Sequence, residues 1–163
     1  MSVILSIPTL GLIAILQSAV VSRLPLNRGT ADLVLVVLVA IALQKNVRSS
    51  WQWSIVGGLF MDFLSGLPFG IFTVSYLLAT GLALILRDRI WRFSFLMQLL
   101  VVFFGTMFSH TLSFLVLFLQ GSEISLGIVL QLVTLPSIIL NFMISLPIFI
   151  LTQDVLEQVH PQE

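Results

Sequence analysis

Charged side chains are scarce in this sequence, and the basic ones are confined to short clusters. Only 9% of the 163 residues are charged, whereas 58% are hydrophobic. The seven Lys and Arg residues lie at Arg23 and Arg28, at Lys45 and Arg48, and at Arg87, Arg89 and Arg92. A water-soluble domain has about 25% charged residues. The composition therefore predicts that lipid, rather than water, surrounds most of the chain.

The apolar runs predict a single all-α integral membrane domain over residues 1–163, a polytopic bundle of six transmembrane helices. A bilayer core needs about 20 apolar residues per helical crossing, and a backbone in lipid must be hydrogen-bonded within helices or a closed barrel. The runs lack the alternation of barrel strands, so helices are expected. The predicted spans are about 3–21, 31–44, 51–64, 69–86, 93–119 and 125–151.

The basic residues also predict an orientation, because Lys and Arg near span ends stay on the cytoplasmic side. With six spans and a cytoplasmic N-terminus, five basic residues fall in the inner loops and two, Arg23 and Arg28, in the outer ones. The first span lacks the basic n-region of a cleavable signal, so we expect it to be retained. Both termini are then predicted to be cytoplasmic.

Several classes of function are disfavoured by the sequence. A formal net charge of zero argues against a nucleic-acid partner, and the lack of Cys excludes thiolate metal sites. The sequence has no glycine-rich phosphate loop, no His-Glu zinc signature and no pair of carboxylates spaced for acid–base chemistry. The chain is therefore predicted to be neither an enzyme nor a metal- or cofactor-binding protein.

Asp62 is the acidic residue with the most apolar surroundings. An ionisable residue within a membrane helix is a candidate functional group by default. The alternative is that Asp62 caps the turn that starts the fourth helix, where Gly66 and Pro68 favour a chain reversal. The structural alternative is the one we favour, with binding of a small ligand as the next.

Two further polar residues have simple structural interpretations. Asp32 precedes the second helix, where the helix dipole favours an acidic cap, with an ion pair to Arg28 or Arg23 as the alternative. His110, without a second His or nearby carboxylate, is a poor metal ligand. We expect it to bond to Asn141 or Ser137 of the sixth helix.

Small residues and prolines mark places where helices pack closely or open. Gly105, Ser109 and Ser113 recur at every fourth position of the fifth helix, and Gly11, Ala14 and Ser18 mark a similar row in the first. Such rows serve either internal packing or the docking of another membrane helix. Pro136 and Pro147 are expected to free carbonyl groups in the sixth helix that neighbours must satisfy.

The segment from Gly58 to Gly70 reads Gly-Leu-Phe-Met-Asp-Phe-Leu-Ser-Gly-Leu-Pro-Phe-Gly. It resembles the MreD family of bacterial rod-shape-determining proteins, whose members carry Gly-x-x-x-Asp-x-x-x-Gly-x-Pro-x-Gly between the third and fourth spans. Ala31-Asp32-Leu33 is similar to the Pro-Asp-Leu that begins the family's second helix, with Ala31 in place of Pro. The resemblance implies structural or partner-facing roles for Asp32, Gly58, Asp62, Gly66, Pro68 and Gly70.

The resemblance implies a non-catalytic scaffold of the elongasome in the bacterial cytoplasmic (inner) membrane, where it helps to regulate peptidoglycan synthesis and rod cell shape. The implied partner is MreC, with RodA and its penicillin-binding transpeptidase as further partners, MreB as an indirect one and membrane lipids around the bundle. The implied fold resembles the S components of energy-coupling-factor transporters. The alternative is a small-molecule-binding membrane protein, such as an S component of a vitamin importer, with a polar outer cavity built from Asp62, Asn27, Asp32 and Tyr76.

Overall fold

In a computed structural model, the chain forms helices joined by short connections. The structure describes residues 3–19, 23, 26–44, 47, 49–89 and 94–159, which contain no β-strand beyond an isolated bridge between Leu26 and Gly29. The helices are α1 (Val3–Ala19), α2 (Leu33–Leu43), α3 (Ser50–Leu64), α4 (Ile71–Arg89), α5 (Ser94–Leu119), α6 (Leu126–Val129) and α7 (Leu135–Val159). A π-helical turn over Leu130–Thr134 joins α6 to α7, so that the two form one continuous sixth helix.

Helix α2 occupies the centre of the bundle. Ten of its eleven residues are buried, and it packs against α1, α3, α4, α5 and α7. Its sequence is apolar on every side, and a helix of that kind is stable only when protein or lipid surrounds it completely. At about 1.5 Å per residue it is only about 16 Å long. Its neighbours, rather than lipid, therefore shield it along its whole length.

The outer helices present apolar side chains outwards and keep polar ones inside. On α7 the exposed side chains recur every three or four residues, at Leu135, Ile139, Met143, Leu146 and Ile150. The side chains of Gln98, Thr106 and Asn141 are buried instead. This arrangement reverses the polarity of a soluble domain, whose surface rarely holds an apolar patch above a few hundred Å².

Two helices of the described residues are long and apolar enough to cross a membrane, judged by length and composition. They are Phe95–Leu119 and Leu126–Asp154, the second running through the π-helical turn. The helices α1, α2 and α4 contain shorter apolar stretches.

Four of the six small residues in the two rows lie at contacts inside the bundle. A Cβ atom on Gly105 would lie 3.2 Å from side-chain atoms of Ala79 and Leu35, and one on Gly11 would lie 3.5 Å from the Phe60 ring. Ser109 is buried as well. Internal packing therefore accounts for Gly11, Ala14, Gly105 and Ser109, whereas Ser18 is exposed and Ser113 is half-buried.

An arginine satisfies backbone carbonyls at the end of the bundle where α2 finishes. At the end where α2 finishes, the Arg87 guanidinium of α4 donates hydrogen bonds to the carbonyls of Ala42 (3.5 Å) and Gln44 (3.2 Å). A cation there satisfies carbonyls that have no helical donor and complements the helix dipole. Lys45, Arg48 and Arg92, which also enter the predicted orientation, lie outside the described residues.

Candidate functional site

The Asp62 carboxylate caps the first turn of α4. It accepts hydrogen bonds from the backbone N–H groups of Phe72 (2.9 Å) and Thr73 (3.2 Å) and from the Thr73 hydroxyl (2.6 Å). The first N–H groups of a helix have no partner within the helix, and a carboxylate is a favourable acceptor at this end of the dipole. Asp62, which is 4% exposed, therefore has the capping role that the sequence offered as one of its alternatives.

Gly58 and Gly70 make this cap possible. A Cβ atom on Gly58 would lie 2.4 Å from the Cα of Thr73 and 2.9 Å from its nitrogen, so glycine lets the two backbones meet one helical turn before Asp62. The Gly70 carbonyl accepts the Val74 N–H (3.0 Å), which makes Gly70 the residue before the first turn of α4. With φ at +100°, this position favours glycine, and Asp62 supplies the capping acceptor that glycine lacks.

The remaining motif residues, Gly66 and Pro68, lie in the α3–α4 turn. Nothing lies within 4 Å of a Cβ atom built on Gly66, and nothing in the structure explains a glycine there. Pro68 is half-buried in the same turn, which is held by a hydrogen bond from the Leu67 N–H to the Ser65 hydroxyl (3.3 Å).

Asp32 caps α2 and joins it to two other helices. Its carboxylate accepts the Leu35 N–H (3.0 Å) and the Tyr76 hydroxyl of α4, which lies 2.8 Å from both carboxylate oxygens. The Asp32 N–H donates to Oδ1 of Asn141 on α7 (2.6 Å). Asp32 therefore caps α2, as its position before the helix predicted. The side-chain partner of its carboxylate is Tyr76, rather than the arginine of the alternative ion pair.

The hydrogen bonds around Asp32 continue into a network across the bundle. The Asn141 amide donates to Oγ1 of Thr106 on α5 (2.8 Å). Oε1 of Gln17 on α1 accepts the Val34 N–H at the start of α2 (2.9 Å). One set of polar contacts thus links five helices, α1, α2, α4, α5 and α7. Sequence analysis did not identify Gln17 and Thr106. Each is a polar residue within an otherwise apolar helix, and that pattern could have indicated a hydrogen-bonding role.

The expected partner of His110 is wrong. Its Nδ1 pairs with the Thr134 hydroxyl (3.1 Å) in the π-helical turn, rather than with Asn141 or Ser137. Thr106 of α5 faces Asn141 of α7, and equal steps along the two antiparallel helices would bring His110 to Ser137. The Ser137 hydroxyl instead accepts the Thr30 N–H, and the π-helical turn alters the register so that Thr134 meets His110.

Pro136 frees a carbonyl, as the sequence predicted, and the structure identifies the donor that satisfies it. In an α-helix the Leu132 carbonyl would accept from residue 136, but proline has no N–H. The Arg28 N–H donates to that carbonyl instead (3.1 Å). Gly29 lies close to the same turn, since a Cβ atom there would meet the Val133 oxygen at 2.5 Å. The connection before α2 is thereby fixed to the last helix.

A cavity of about 480 Å³ opens beside these contacts. It lies between the end of α1, the connection before α2, the α3–α4 turn, the second half of α5 and the sixth helix, and Arg28, Asp32 and His110 contribute to its wall. Of the residues predicted for a polar outer cavity, only Asp32 lines it; Asp62, Asn27 and Tyr76 do not. Within the described ranges, no three metal-ligating side chains of the His, Cys, Asp or Glu type come together.

Comparison of the chain with protein-family models, with curated proteins and with solved structures finds no match. The resemblance to MreD therefore rests on the motif residues and on the chemistry of the chain itself.

Proposed function

We propose that the chain is a non-catalytic scaffold of the MreD kind, which binds MreC within the bacterial inner membrane and helps to regulate peptidoglycan synthesis and rod cell shape. RodA and its penicillin-binding transpeptidase are proposed as further partners, with MreB acting indirectly. In this proposal six helices cross the membrane, both termini are cytoplasmic, and the fold is that of S components.

The observation that carries the proposal is the geometry of the motif. Gly58, Asp62 and Gly70, three of the residues on which the resemblance rests, all act at the start of α4. The Asp62 carboxylate has three hydrogen-bond donors around it, which is the environment of a structural anchor. The motif residues thus have a structural role. Such a role is expected of a scaffold, which binds its partners through its surfaces.

The distribution of polarity supports the six-helix membrane topology. Exposed apolar side chains occur along α1, α3, α4, α5 and α7, and α2 is shielded by these neighbours. Short helices such as α2 are tolerated at membrane depth when protein surrounds them, since the requirement is that backbone groups be bonded internally. An even number of crossings places both ends of the chain on one side.

The outward faces of α5 and α7 are the surfaces we propose for a partner helix. On α5 the exposed row contains Leu100, Phe104 and Phe108, and on α7 it contains Ile139 and Met143. Helices associate in lipid through packing and a few polar contacts, each worth on the order of 1 kcal/mol. Since Gly105 and Ser109 of the small-residue row on α5 face the bundle interior, these larger side chains are what α5 and α7 offer to MreC.

The test is co-purification of the chain with MreC in mild detergent. We expect a complex that survives size-exclusion chromatography. Two variants, one with the α5 row replaced by alanine and one with the α7 row replaced by alanine, identify the binding face. The variant altered on the face that MreC occupies should form a weaker complex, and the other variant should bind like the unaltered chain. If both proteins are folded and no complex forms with the unaltered chain, the proposal is wrong.

A second candidate is a small-molecule-binding membrane protein, such as the S component of a vitamin importer. The cavity beside Asp32 is the observation that favours it, because its volume of about 480 Å³ falls within the range of about 300–1,000 Å³ for ligand sites. Thermal unfolding of the purified chain with a panel of vitamins distinguishes the candidates, since a ligand of the folded state raises the melting temperature.

A further inference from the structure

We propose that the cavity binds an amphipathic anion, a molecule with a carboxylate or phosphate head and an apolar body, and that Arg28 holds the head. The inference goes beyond the scaffold function and stands whether or not the chain binds MreC.

Apart from Arg28, the titratable side chains on the cavity wall already have protein partners. Asp32 accepts from Leu35 and Tyr76, and Nδ1 of His110 pairs with Thr134. Arg28 differs. Its backbone N–H bonds to Leu132, while its exposed guanidinium has no hydrogen bond or ion pair with any residue that the structure describes. One cation on the wall is thus left for a ligand.

The position of Arg28 is fixed even though its side chain is unpaired. The carbonyl left open by Pro136 anchors its backbone, and the adjacent Thr30 N–H donates to the Ser137 hydroxyl (3.0 Å). These bonds attach the connection to the sixth helix on both sides of Gly29. π-helical turns occur often at functional sites, and the turn over Leu130–Thr134 supplies the attachment point for the arginine.

Much of the remaining cavity wall is apolar. Phe72 from α4, Phe114 and Leu117 from α5 and Met61 from α3 contribute to its wall. A purely ionic ligand would leave this surface unfilled. The guanidinium forms paired hydrogen bonds to carboxylate and phosphate groups, while Asp32 disfavours a second anionic group on its own side. The wall therefore matches a ligand with one anionic end and an apolar remainder.

The border of the cavity indicates where such a ligand comes from. Leu64, Phe118, Ile124 and Ile128 line the cavity and are also among the exposed apolar side chains of the molecule. An amphiphile dissolved in the surrounding lipid can enter past these residues without leaving an apolar environment. A free fatty acid and an anionic phospholipid share the required chemistry.

Thermal unfolding of the purified full chain in a neutral detergent tests the inference. The probes are palmitate against hexadecanol, and dioleoylphosphatidylglycerol against dioleoylglycerol, so that each pair differs in the anionic head. Inorganic phosphate is a further control, because it has the anionic head group but no apolar body. We expect at least one anionic amphiphile to raise the melting temperature in a concentration-dependent way, whereas its neutral counterpart and inorganic phosphate do not. The responding pair identifies the head group.

Arg28→Gln should weaken the response about tenfold or more in apparent Kd, because a charge-assisted hydrogen bond is lost. The matched control is Arg23→Gln, which removes an exposed arginine of the same connection that does not line the cavity; it should respond like the unaltered chain. Equal shifts from anionic and neutral amphiphiles, an equal shift from inorganic phosphate, or equal responses of the two variants would overturn the proposal.

Discussion

The Tyr76 hydroxyl lies 2.8 Å from both carboxylate oxygens of Asp32, although 44 residues separate the two in sequence. Tyr76 is fully buried in α4, and Asp32 stands at the start of the central helix. The contact joins the cap of α2 to the helix that Asp62 caps. Asp32 and Asp62 are thereby both connected to α4, Asp62 at its first turn and Asp32 further along.

This contact predicts coupling between the two residues. Tyr76→Phe should destabilise the chain by about 1–3 kcal/mol, because it removes a hydrogen bond from a carboxylate with few other donors. Asp32→Asn should also destabilise it, and the double variant should lose less than the sum of the two. Chemical unfolding of the four proteins in detergent measures the coupling. Strictly additive losses would show that the hydroxyl and the carboxylate do not interact.

Loss of the Asp62 carboxylate should loosen α4. We expect Asp62→Ala to destabilise the chain by about 2–3 kcal/mol, since a helix cap and charge-assisted hydrogen bonds disappear together. Asp154→Ala, at an exposed position late in α7, is the matched control and should melt like the unaltered chain. Under the scaffold function proposed above, Asp62→Ala should also weaken assembly with MreC in a rod-shaped host. Full complementation with an intact complex would contradict the anchoring role.

The motif glycines should differ sharply in their tolerance of alanine. At Gly58 a methyl group would collide with the backbone of Thr73, and overpacking of this kind costs about 1–3 kcal/mol. At Gly70 the positive φ costs an alanine about 1–2 kcal/mol. Gly66, with open space around it, should accept alanine within about 0.5 kcal/mol. Melting curves of the three variants give the ranking, and equal effects at Gly58 and Gly66 would refute it.

The proposed topology can be read from single cysteines, because the chain has none of its own. Gly66 and Ser122 lie in connections at the cavity end of the bundle, whereas Gln52 lies near the start of α3, at the other end. In intact spheroplasts, a membrane-impermeant maleimide should label Gly66→Cys and Ser122→Cys. It should label Gln52→Cys only after permeabilisation. The reverse pattern would show that the orientation is opposite to the one proposed. Labelling of all three cysteines from outside would exclude the proposed topology.

The helices themselves were predictable from sequence because long apolar runs need internal backbone bonds. The described helices lie close to the predicted spans, and the last one continues to Val159, well past residue 151. Helical hydrogen bonding does not require apolar side chains, and Asp154 in this extension is exposed. The short length of α2 also has a physical explanation, since its neighbours enclose it.

The partners of the polar residues were harder to predict. Asp32 was identified as a cap from its position alone, but its pairing with Asn141 spans 109 residues. Apolar periodicity looks the same in every helix, so it does not reveal which faces meet or in what register. The wrong partner for His110 follows from this. Pro136 was more informative, because a missing N–H always leaves a particular carbonyl to be satisfied.

The enclosure of α2 has a consequence for how the sequence can vary. A helix on the periphery has an outward side on which one apolar residue can replace another, so tolerated changes recur with each turn. Helix α2 has no such side, since the ten residues from Val34 to Leu43 are all buried. Every position in this stretch should therefore be sensitive to substitution, with no tolerant position once per turn. These small and branched side chains should be the least exchangeable in the molecule.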